Sequence, residues 1–192
     1  MKFRHKLPSI REYKISLIGI LIILVVFAAV MPYSVSTPRE SLIILSSIAL
    51  VGVALGLLVG PPKLEMRLDI NSLLYGLLGF SILGITSLNI GLISTLSIHG
   101  YVYIVAAICE ELAFRFGLQR FAERVMGPLI ALIFQAGLFA LYHWMVYPGY
   151  SLLAAYPLIA GLVLGAVNML AKDLTAPLIA HVLNNALVIL WR

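Results

Sequence analysis

Long apolar runs, separated by short segments that carry proline, glycine or charge, account for most of this 192-residue chain. A helix needs roughly 20 apolar residues to cross the hydrocarbon core of a bilayer. The mean hydropathy of +1.07 is far above that of soluble proteins, so lipid is the expected solvent for most of the chain. The runs predict an all-α fold, a polytopic bundle of about seven transmembrane helices, at residues 15–32, 41–60, 70–87, 101–122, 127–147, 152–170 and 176–191.

The basic residues are distributed unevenly between the predicted loops. With a cytoplasmic N-terminus, ten of the 13 Lys and Arg residues face the cytoplasm, two face the other side, and Arg115 lies within a span. Because cytoplasmic loops of membrane proteins are enriched in Lys and Arg, this predicts a multi-pass protein of the cell membrane with its N-terminus in the cytoplasm. The net charge of +5 is then a topology signal. No soluble face clusters basic residues with aromatics, so nucleic acid is not an expected partner.

Nothing in the sequence divides the chain into separate units. There is no linker, low-complexity segment or evident repeat, so we expect one membrane domain over residues 1–192. The first apolar run is too long for a signal peptide and is predicted to be an anchor. The single cysteine, Cys109, excludes an internal disulfide. Glycines spaced four apart predict close helix packing at Gly52, Gly56 and Gly60 and at Gly161 and Gly165.

Three ionisable residues, Glu110, Glu111 and Arg115, interrupt the fourth predicted span. Each costs about 2.5–3.5 kcal/mol at the centre of a bilayer, so such groups pair, line a polar cavity or take part in chemistry. Glu111 and Arg115 are four residues apart and share a helical face, which favours a buried ion pair. Glu110 points roughly 100° away and is a candidate general base. A purely structural salt-bridge network of all three is the alternative interpretation.

Two histidines lie on other predicted spans. Phe139 and His143 share a face of the fifth span, and His181 and Asn185 share a face of the seventh. Asn184 lies off that face. An imidazole can hold a water molecule and accept its proton. Imidazole and amide N–H groups can donate hydrogen bonds to an oxyanion.

Together with Glu110, these residues predict peptide-bond hydrolysis without a covalent intermediate. Glu110 and His143 would bind and deprotonate a water molecule, while His181 and Asn185 would stabilise the oxyanion. A zinc ion held by Glu110, His143 and His181 is a rival chemistry. Since the sequence lacks His-Glu-x-x-His and any closely spaced ligand pair, we predict no metal and no cofactor. Cys109 is a weaker candidate nucleophile, because it points a further 100° or so away from Glu110 in an apolar run.

Three short motifs follow one another along the chain: Glu-Glu-x-x-x-Arg at 110–115, Phe-x-x-x-His at 139–143 and His-x-x-x-Asn at 181–185. Together they resemble the signature motifs of the CAAX protease and bacteriocin-processing family, which includes the Ras-converting type of prenyl-protein endopeptidase. The resemblance covers residues 110–185. It implies an α-helical intramembrane endopeptidase of the metal-independent glutamate type, with its catalytic core in residues 101–192.

The resemblance also implies roles for individual residues. Glu110 would activate water with the help of His143, and His181 with Asn185 would form the oxyanion site. The remaining motif residues would support them: Glu111, Arg115 and Phe139. The implied partners are the lipid bilayer and a peptide or prenylated-protein substrate, processed near its C-terminus.

Two other functions remain open at this stage. One is a non-catalytic bacteriocin-immunity or scaffold protein, in which the polar residues serve folding and partner binding. The other is a transporter with a proton relay, although the internal symmetry and broken helices typical of transporters are not evident. The presence of every presumed catalytic residue favours the endopeptidase. The predicted topology places His143 toward the non-cytoplasmic end of its span, whereas prenyl-protein members of the family are expected to act from the cytoplasmic side.

Overall fold

The protein folds as a bundle of helices. Its computed structural model describes residues 19, 37–58, 66, 68–89, 100–146 and 155–190. No β-strand occurs in these residues, so the predicted all-α class is confirmed. The helices are α1 (Pro38–Leu58), α2 (Ile70–Asn89), α3 (Gly100–Glu111), a π-helix (Leu112–Gln119), α4 (Arg120–Met126), α5 (Pro128–Val146), α6 (Ala155–Ala171) and α7 (Thr175–Leu190).

Five of these helices coincide with predicted spans. Among the described helices, three are long and apolar enough to cross a membrane: Arg39–Leu58, Ile70–Leu88 and Pro128–Val146. Two shorter apolar helices, Ala155–Ala171 and Thr175–Ile189, match the sixth and seventh predicted spans. The bundle is therefore of the membrane type expected from the apolar runs.

Large apolar side chains cover the outer faces of the helices. Leu50 is 74% exposed and Ile85 61%, which suits contact with lipid and would be unfavourable in water. The protein is thus an integral membrane protein. The predicted span 101–122 corresponds to α3, the π-helix and the start of α4. The predicted span 15–32 lies outside the described residues except for Gly19.

Close backbone contacts join α1 to the π-helix. Gly52 packs directly against the backbone of Gly117, and a side chain at either position would overlap its neighbour. Gly56 lies against the ring of Phe116 in the same way. Small residues permit such approaches between membrane helices. The predicted packing role is confirmed for Gly52 and Gly56, and the third glycine, Gly60, lies outside the described residues.

The α5–α6 pair is held by a second glycine contact and by an amide. Gly161 packs against the backbone of Ala136, as predicted. The side chain of Gln135, which is fully buried, donates a hydrogen bond of 2.8 Å to the carbonyl of Gly161. Gly165 also leaves room for this amide. These contacts fix α5, which carries His143.

A tight turn between α6 and α7 sets the start of the helix that carries His181. Lys172 has a φ of 58°, and its N–H donates to the carbonyl of Asn168 at 2.9 Å, which ends α6. The Asp173 carboxylate then accepts hydrogen bonds from the N–H groups of Thr175 and Ala176, at 2.7 and 3.1 Å. An aspartate in this position satisfies backbone donors that the helix leaves unpaired.

Candidate active site

The three charged residues of the fourth predicted span are buried together. Glu110 is 3% exposed, and Glu111 and Arg115 are not exposed at all. Arg115 Nη1 donates to Glu111 Oε1 at 3.0 Å, which is the ion pair expected from their spacing of four residues. Glu110 does not take part in this pair and points toward other helices. The two adjacent carboxylates therefore have different surroundings.

An eight-residue π-helix, Leu112–Gln119, begins immediately after Glu111. All of its residues except Leu112 are buried, including Arg115. π-Helical turns are rare and often occur at functional sites. The apolar pattern of residues 101–122 predicts an uninterrupted span and contains no signal for this change in winding, so sequence analysis missed it.

His143 approaches Glu110 from α5. Its Nδ1 lies 2.9 Å from the backbone carbonyl oxygen of Phe139, one turn earlier. A carbonyl oxygen can only accept, so Nδ1 carries the proton and donates. In the neutral imidazole, Nε2 then carries no proton and can act as an acceptor. This Nε2 lies 3.7 Å from Glu110 Oε2.

His181 approaches the same carboxylate from α7. Its Nδ1 lies 2.7 Å from Glu111 Oε1, so the nitrogen donates to a charged acceptor. Its Nε2 lies 3.7 Å from Glu110 Oε2, the same separation as for His143. Glu111 Oε1 therefore accepts hydrogen bonds from both Arg115 Nη1 and His181 Nδ1. One oxygen of Glu110 faces two imidazole nitrogens from two other helices.

The charges of this cluster leave room for one additional proton. With both carboxylates ionised and Arg115 protonated, the cluster carries a formal charge of −1 in a buried environment. A buried charge without a partner is costly. The uptake of one proton makes the cluster neutral. The arrangement is thus suited to accept a proton from a bound molecule and return it.

Phe139 forms one wall of the cluster. Its ring centroid lies 4.7 Å from the Arg115 guanidinium carbon, 4.3 Å from the His143 ring and 6.2 Å from the His181 ring. Phe114 meets it edge-to-face at 5.0 Å. A guanidinium over an aromatic face is stabilised by the ring quadrupole, and more strongly when water is excluded. Phe139 therefore packs the charged residues and also orients His143 through its carbonyl.

Asn185 is placed differently from the other three predicted catalytic residues. Its side-chain amide donates to the backbone carbonyl of Tyr103 at 2.9 Å, which joins α7 to α3. Tyr103 lies two turns before Glu110 on the same face of α3. Asn185 thus faces the helix that carries Glu110, and the second N–H of its amide is not used in this bond. The structure brings Glu110, His143 and His181 together and positions Asn185 one turn from His181.

Asn184, the weaker candidate, belongs to a separate buried network. Its amide donates to the Tyr156 hydroxyl at 2.8 Å, and its carbonyl oxygen accepts from the Ser87 hydroxyl at 2.8 Å. These bonds connect α2, α6 and α7. This location agrees with Asn184 being the weaker catalytic candidate, because it lies off the face of α7 that carries His181 and Asn185.

Two tyrosines near the site were not predicted from the sequence. Tyr142 lies 5.1 Å from the His143 ring and 5.7 Å from Phe114, measured between ring centroids. Tyr142 and His143 are adjacent on α5 and their side chains point about 100° apart, so the sequence does not predict that both lie at the site. Their proximity depends on how α5 packs against the neighbouring helices. For Tyr103 a signal existed, because it is seven residues before Glu110 and shares its face.

Access to the cluster from outside the bundle is greatest at His143. Its side chain is 13% exposed, compared with 8% for His181 and 3% for Glu110.

Within the described ranges, no group of three or more His, Cys, Asp or Glu side chains has the arrangement of a metal site. Cys109 is half-buried and precedes the two carboxylates.

Residues 93–187, about half of the chain, match a known family model, which is described as type II CAAX prenyl endopeptidase Rce1-like. No curated protein and no solved structure matches the chain. All three sequence motifs, from Glu110 to Asn185, lie within the matched range, so the resemblance to CAAX proteases is confirmed. Through residues 93–187, this integral membrane protein belongs to the Rce1-like family of type II CAAX prenyl endopeptidases.

Proposed function

We propose that the protein is an intramembrane endopeptidase that uses a water molecule activated by Glu110 and His143. The main support is the convergence of Glu110 Oε2 and two imidazole Nε2 atoms, each 3.7 Å from the carboxylate oxygen. These separations are too long for direct hydrogen bonds, but all three atoms can hydrogen-bond to one water between them. Membership of the Rce1-like family supports a peptide as substrate.

In the first step, Glu110 removes a proton from the water while His143 holds it. The oxygen attacks the carbonyl carbon of the scissile peptide bond, and the carbonyl oxygen becomes an oxyanion. Glu110, now protonated, gives its proton to the peptide nitrogen, and the carbon–nitrogen bond breaks. No covalent bond to the protein forms and no metal is needed, which is the glutamate-type mechanism.

The oxyanion requires donors that are in place before the reaction. The second amide N–H of Asn185 and, when protonated, Nε2 of His181 are the proposed donors. Glu111 holds His181 through Nδ1 at 2.7 Å and orients its ring. Arg115 in turn fixes Glu111, so these two residues position the catalytic imidazole without contacting the substrate.

The location of the site within the bilayer suits a substrate that carries its own lipid anchor. A prenyl group would partition into the membrane and bring a peptide C-terminus to the buried cluster. We therefore propose C-terminal processing of prenylated or other lipid-associated peptides. We further propose that the protein lies in the cell membrane with its N-terminus in the cytoplasm. It would form a single membrane domain, with its catalytic core within residues 101–192.

A cleavage assay tests this function directly. Quenched fluorescent peptides ending in a CAAX-type sequence, with and without a farnesyl group on cysteine, are incubated with the full chain in lipid nanodiscs. We expect cleavage, faster for the farnesylated peptide, and no change on adding a chelator. Mass spectrometry of the products identifies the bond that is cut. If folded protein cuts none of these peptides, the endopeptidase proposal fails and a binding or scaffold role takes its place. Chelator-sensitive cleavage that zinc restores would assign a metal mechanism instead.

Two neighbouring asparagines provide a matched test of the oxyanion site. We expect Asn185→Ala to lower kcat by roughly 100- to 1,000-fold, the usual effect of removing one oxyanion donor. Asn184→Ala should instead lower stability by about 1–3 kcal/mol, because it leaves the buried hydroxyls of Ser87 and Tyr156 without this partner. Turnover per folded molecule and thermal unfolding are measured for both variants. Equal turnover of the Asn185 variant and the wild type would remove Asn185 from the mechanism.

A further inference from the structure

A cavity of about 460 Å³ lies at the other end of the bundle from His143, where α4 leads into α5 and α6 turns into α7. It is lined by three basic side chains, Arg115, Arg120 and Lys172. Its other polar lining residues are Glu123, Asn168 and Asp173. The proposed catalytic function uses none of them except Arg115, which forms part of both regions.

The acidic groups of the cavity are already engaged by donors from the protein. Asp173 accepts from the backbone of α7 through one oxygen and from the Ser72 hydroxyl through the other. Glu123 accepts from the Gln119 amide at 3.1 Å. These bonds satisfy part of the acceptor capacity of the two carboxylates.

One of the basic side chains has donors for which the described part of the protein supplies no acceptor. Arg115 is fully buried and gives Nη1 to Glu111, but within the part of the chain that the structure describes its Nε and Nη2 have no hydrogen-bond partner. Arg120 places its guanidinium 5.2 Å from the centroid of Phe116. Buried donors without an acceptor are rare in native proteins and call for an explanation. An anion in the cavity would place a negative charge beside this guanidinium.

Lys172 is a further basic residue of the cavity lining. Its φ of 58° is a left-handed conformation that glycine adopts without strain and that helix ends usually assign to glycine or asparagine. Lys172 is exposed and contributes a basic side chain to the cavity rim in spite of this backbone strain.

The depth of the cavity indicates what kind of anion it would bind. Pro128, which begins the apolar helix α5, is part of the lining, and α6 ends at Ala171, immediately before Lys172. Two membrane helices thus have their ends at this level, which is the level of lipid headgroups. His143 lies 15 residues further along α5, about 22 Å away at the usual rise of a helix. The cavity therefore lies toward the end of α5 opposite His143, and Arg115 connects its wall to the proposed catalytic cluster.

We propose that this cavity binds the phosphate of an anionic phospholipid headgroup. Basic pockets between transmembrane helices at the cytoplasmic level are suited to such headgroups. Lys172 and Arg120 would contact the phosphate oxygens, the amide of Asn168 would donate to one of them, and Arg115 would add charge from the wall. The N-terminus of α5 at this end of the bundle also favours an anion.

The test is lipid binding to the detergent-solubilised full chain, measured by native mass spectrometry with titrated phosphatidylglycerol. We expect one tightly bound phosphatidylglycerol, and weaker binding of phosphatidylcholine. Lys172→Gly should weaken phosphatidylglycerol binding on the order of five- to tenfold, because it removes one cation beside the phosphate. Since glycine relieves the strain at φ 58°, the lipid-free variant should melt at the same temperature as wild type or higher.

The matched control is Arg124→Gln. Arg124 is exposed on α4 at the same end of the bundle and does not line the cavity. This variant should bind phosphatidylglycerol within about twofold of wild type. Equal weakening by both substitutions would reduce the effect to general surface charge and overturn the proposal. Glycerol phosphate that binds as tightly as phosphatidylglycerol would make the ligand a soluble phosphate and overturn the lipid assignment, and no preference over phosphatidylcholine would overturn the site.

Discussion

Replacing Glu110 by glutamine is expected to lower the rate of peptide hydrolysis by roughly 100- to 10,000-fold, the usual contribution of a general base. Glutamine has nearly the same shape but cannot take a proton from water. Because the substitution also removes the uncompensated negative charge of the cluster, the folded protein should be as stable as wild type or more so. Turnover of the fluorescent peptide and the thermal unfolding temperature are measured on the same preparation.

Glu123→Gln is the matched control for this prediction. Glu123 is a half-buried glutamate outside the catalytic cluster, and its replacement should change turnover by about twofold at most. Turnover of the His143→Ala variant should fall as well, since both residues are proposed to hold the same water. Hydrolysis that survives in the Glu110 and His143 variants would show that other residues carry out the chemistry, even if the protein remains a peptidase.

Replacing Arg115 by methionine is expected to destabilise the protein by about 3–5 kcal/mol, the usual effect of removing one partner from a buried ion pair. Glu111 would keep His181 but lose the guanidinium 3.0 Å away, and the ring of Phe139 would lose its cation. The yield of folded protein in detergent and the thermal unfolding temperature provide the measurement. Arg124→Met, on an exposed side chain, should leave both unchanged.

The double variant Arg115→Met with Glu111→Gln separates charge from packing. If the cost of the single substitution arises from the stranded carboxylate, neutralising that carboxylate should restore much of the lost stability. Similar unfolding temperatures for Arg115→Met and Glu110→Gln would contradict the different roles assigned to the two glutamates. Activity is not a suitable readout here, because Glu111 also orients His181.

The division between the two glutamates explains why adjacent identical residues can serve different purposes. Consecutive side chains on a helix point in directions about 100° apart, so each meets a different set of neighbours. Glu111 meets Arg115 on its own helix and His181, and its oxygen receives two donors. Glu110 meets two imidazole nitrogens and remains able to receive a proton. The local helix geometry thus separates structural support from proposed chemistry.

Interactions between residues close together in the sequence were predictable. The pairing of Glu111 with Arg115 follows from a spacing of four residues, and five of the helices follow from apolar runs of sufficient length. The contacts of Gly52 and Gly161 follow from the need for small residues where membrane helices approach closely. The family resemblance also rests on short-range spacings within single helices.

The winding and turns of the backbone were less accessible. The π-helix at Leu112–Gln119 and the left-handed Lys172 leave no recognisable signature in composition or periodicity. The π-helix packs closely on α1 where Gly52 meets Gly117, a tertiary contact that periodicity within one helix does not contain. Predictions based on periodicity assume regular helices and cannot anticipate such departures.

By itself, the sequence determined that this chain crosses a bilayer as helices, which side chains share a face, and which family its motifs resemble, because hydrophobicity and helical spacing are properties of neighbouring residues. Only the tertiary structure decided that Glu110 meets His143 and His181 at 3.7 Å, that His181 is held by Glu111, and that Asn185 bonds to Tyr103. These contacts join residues that are 33 to 82 positions apart. Their distances depend on how α3, α5 and α7 pack against one another, which no pattern within a single helix specifies.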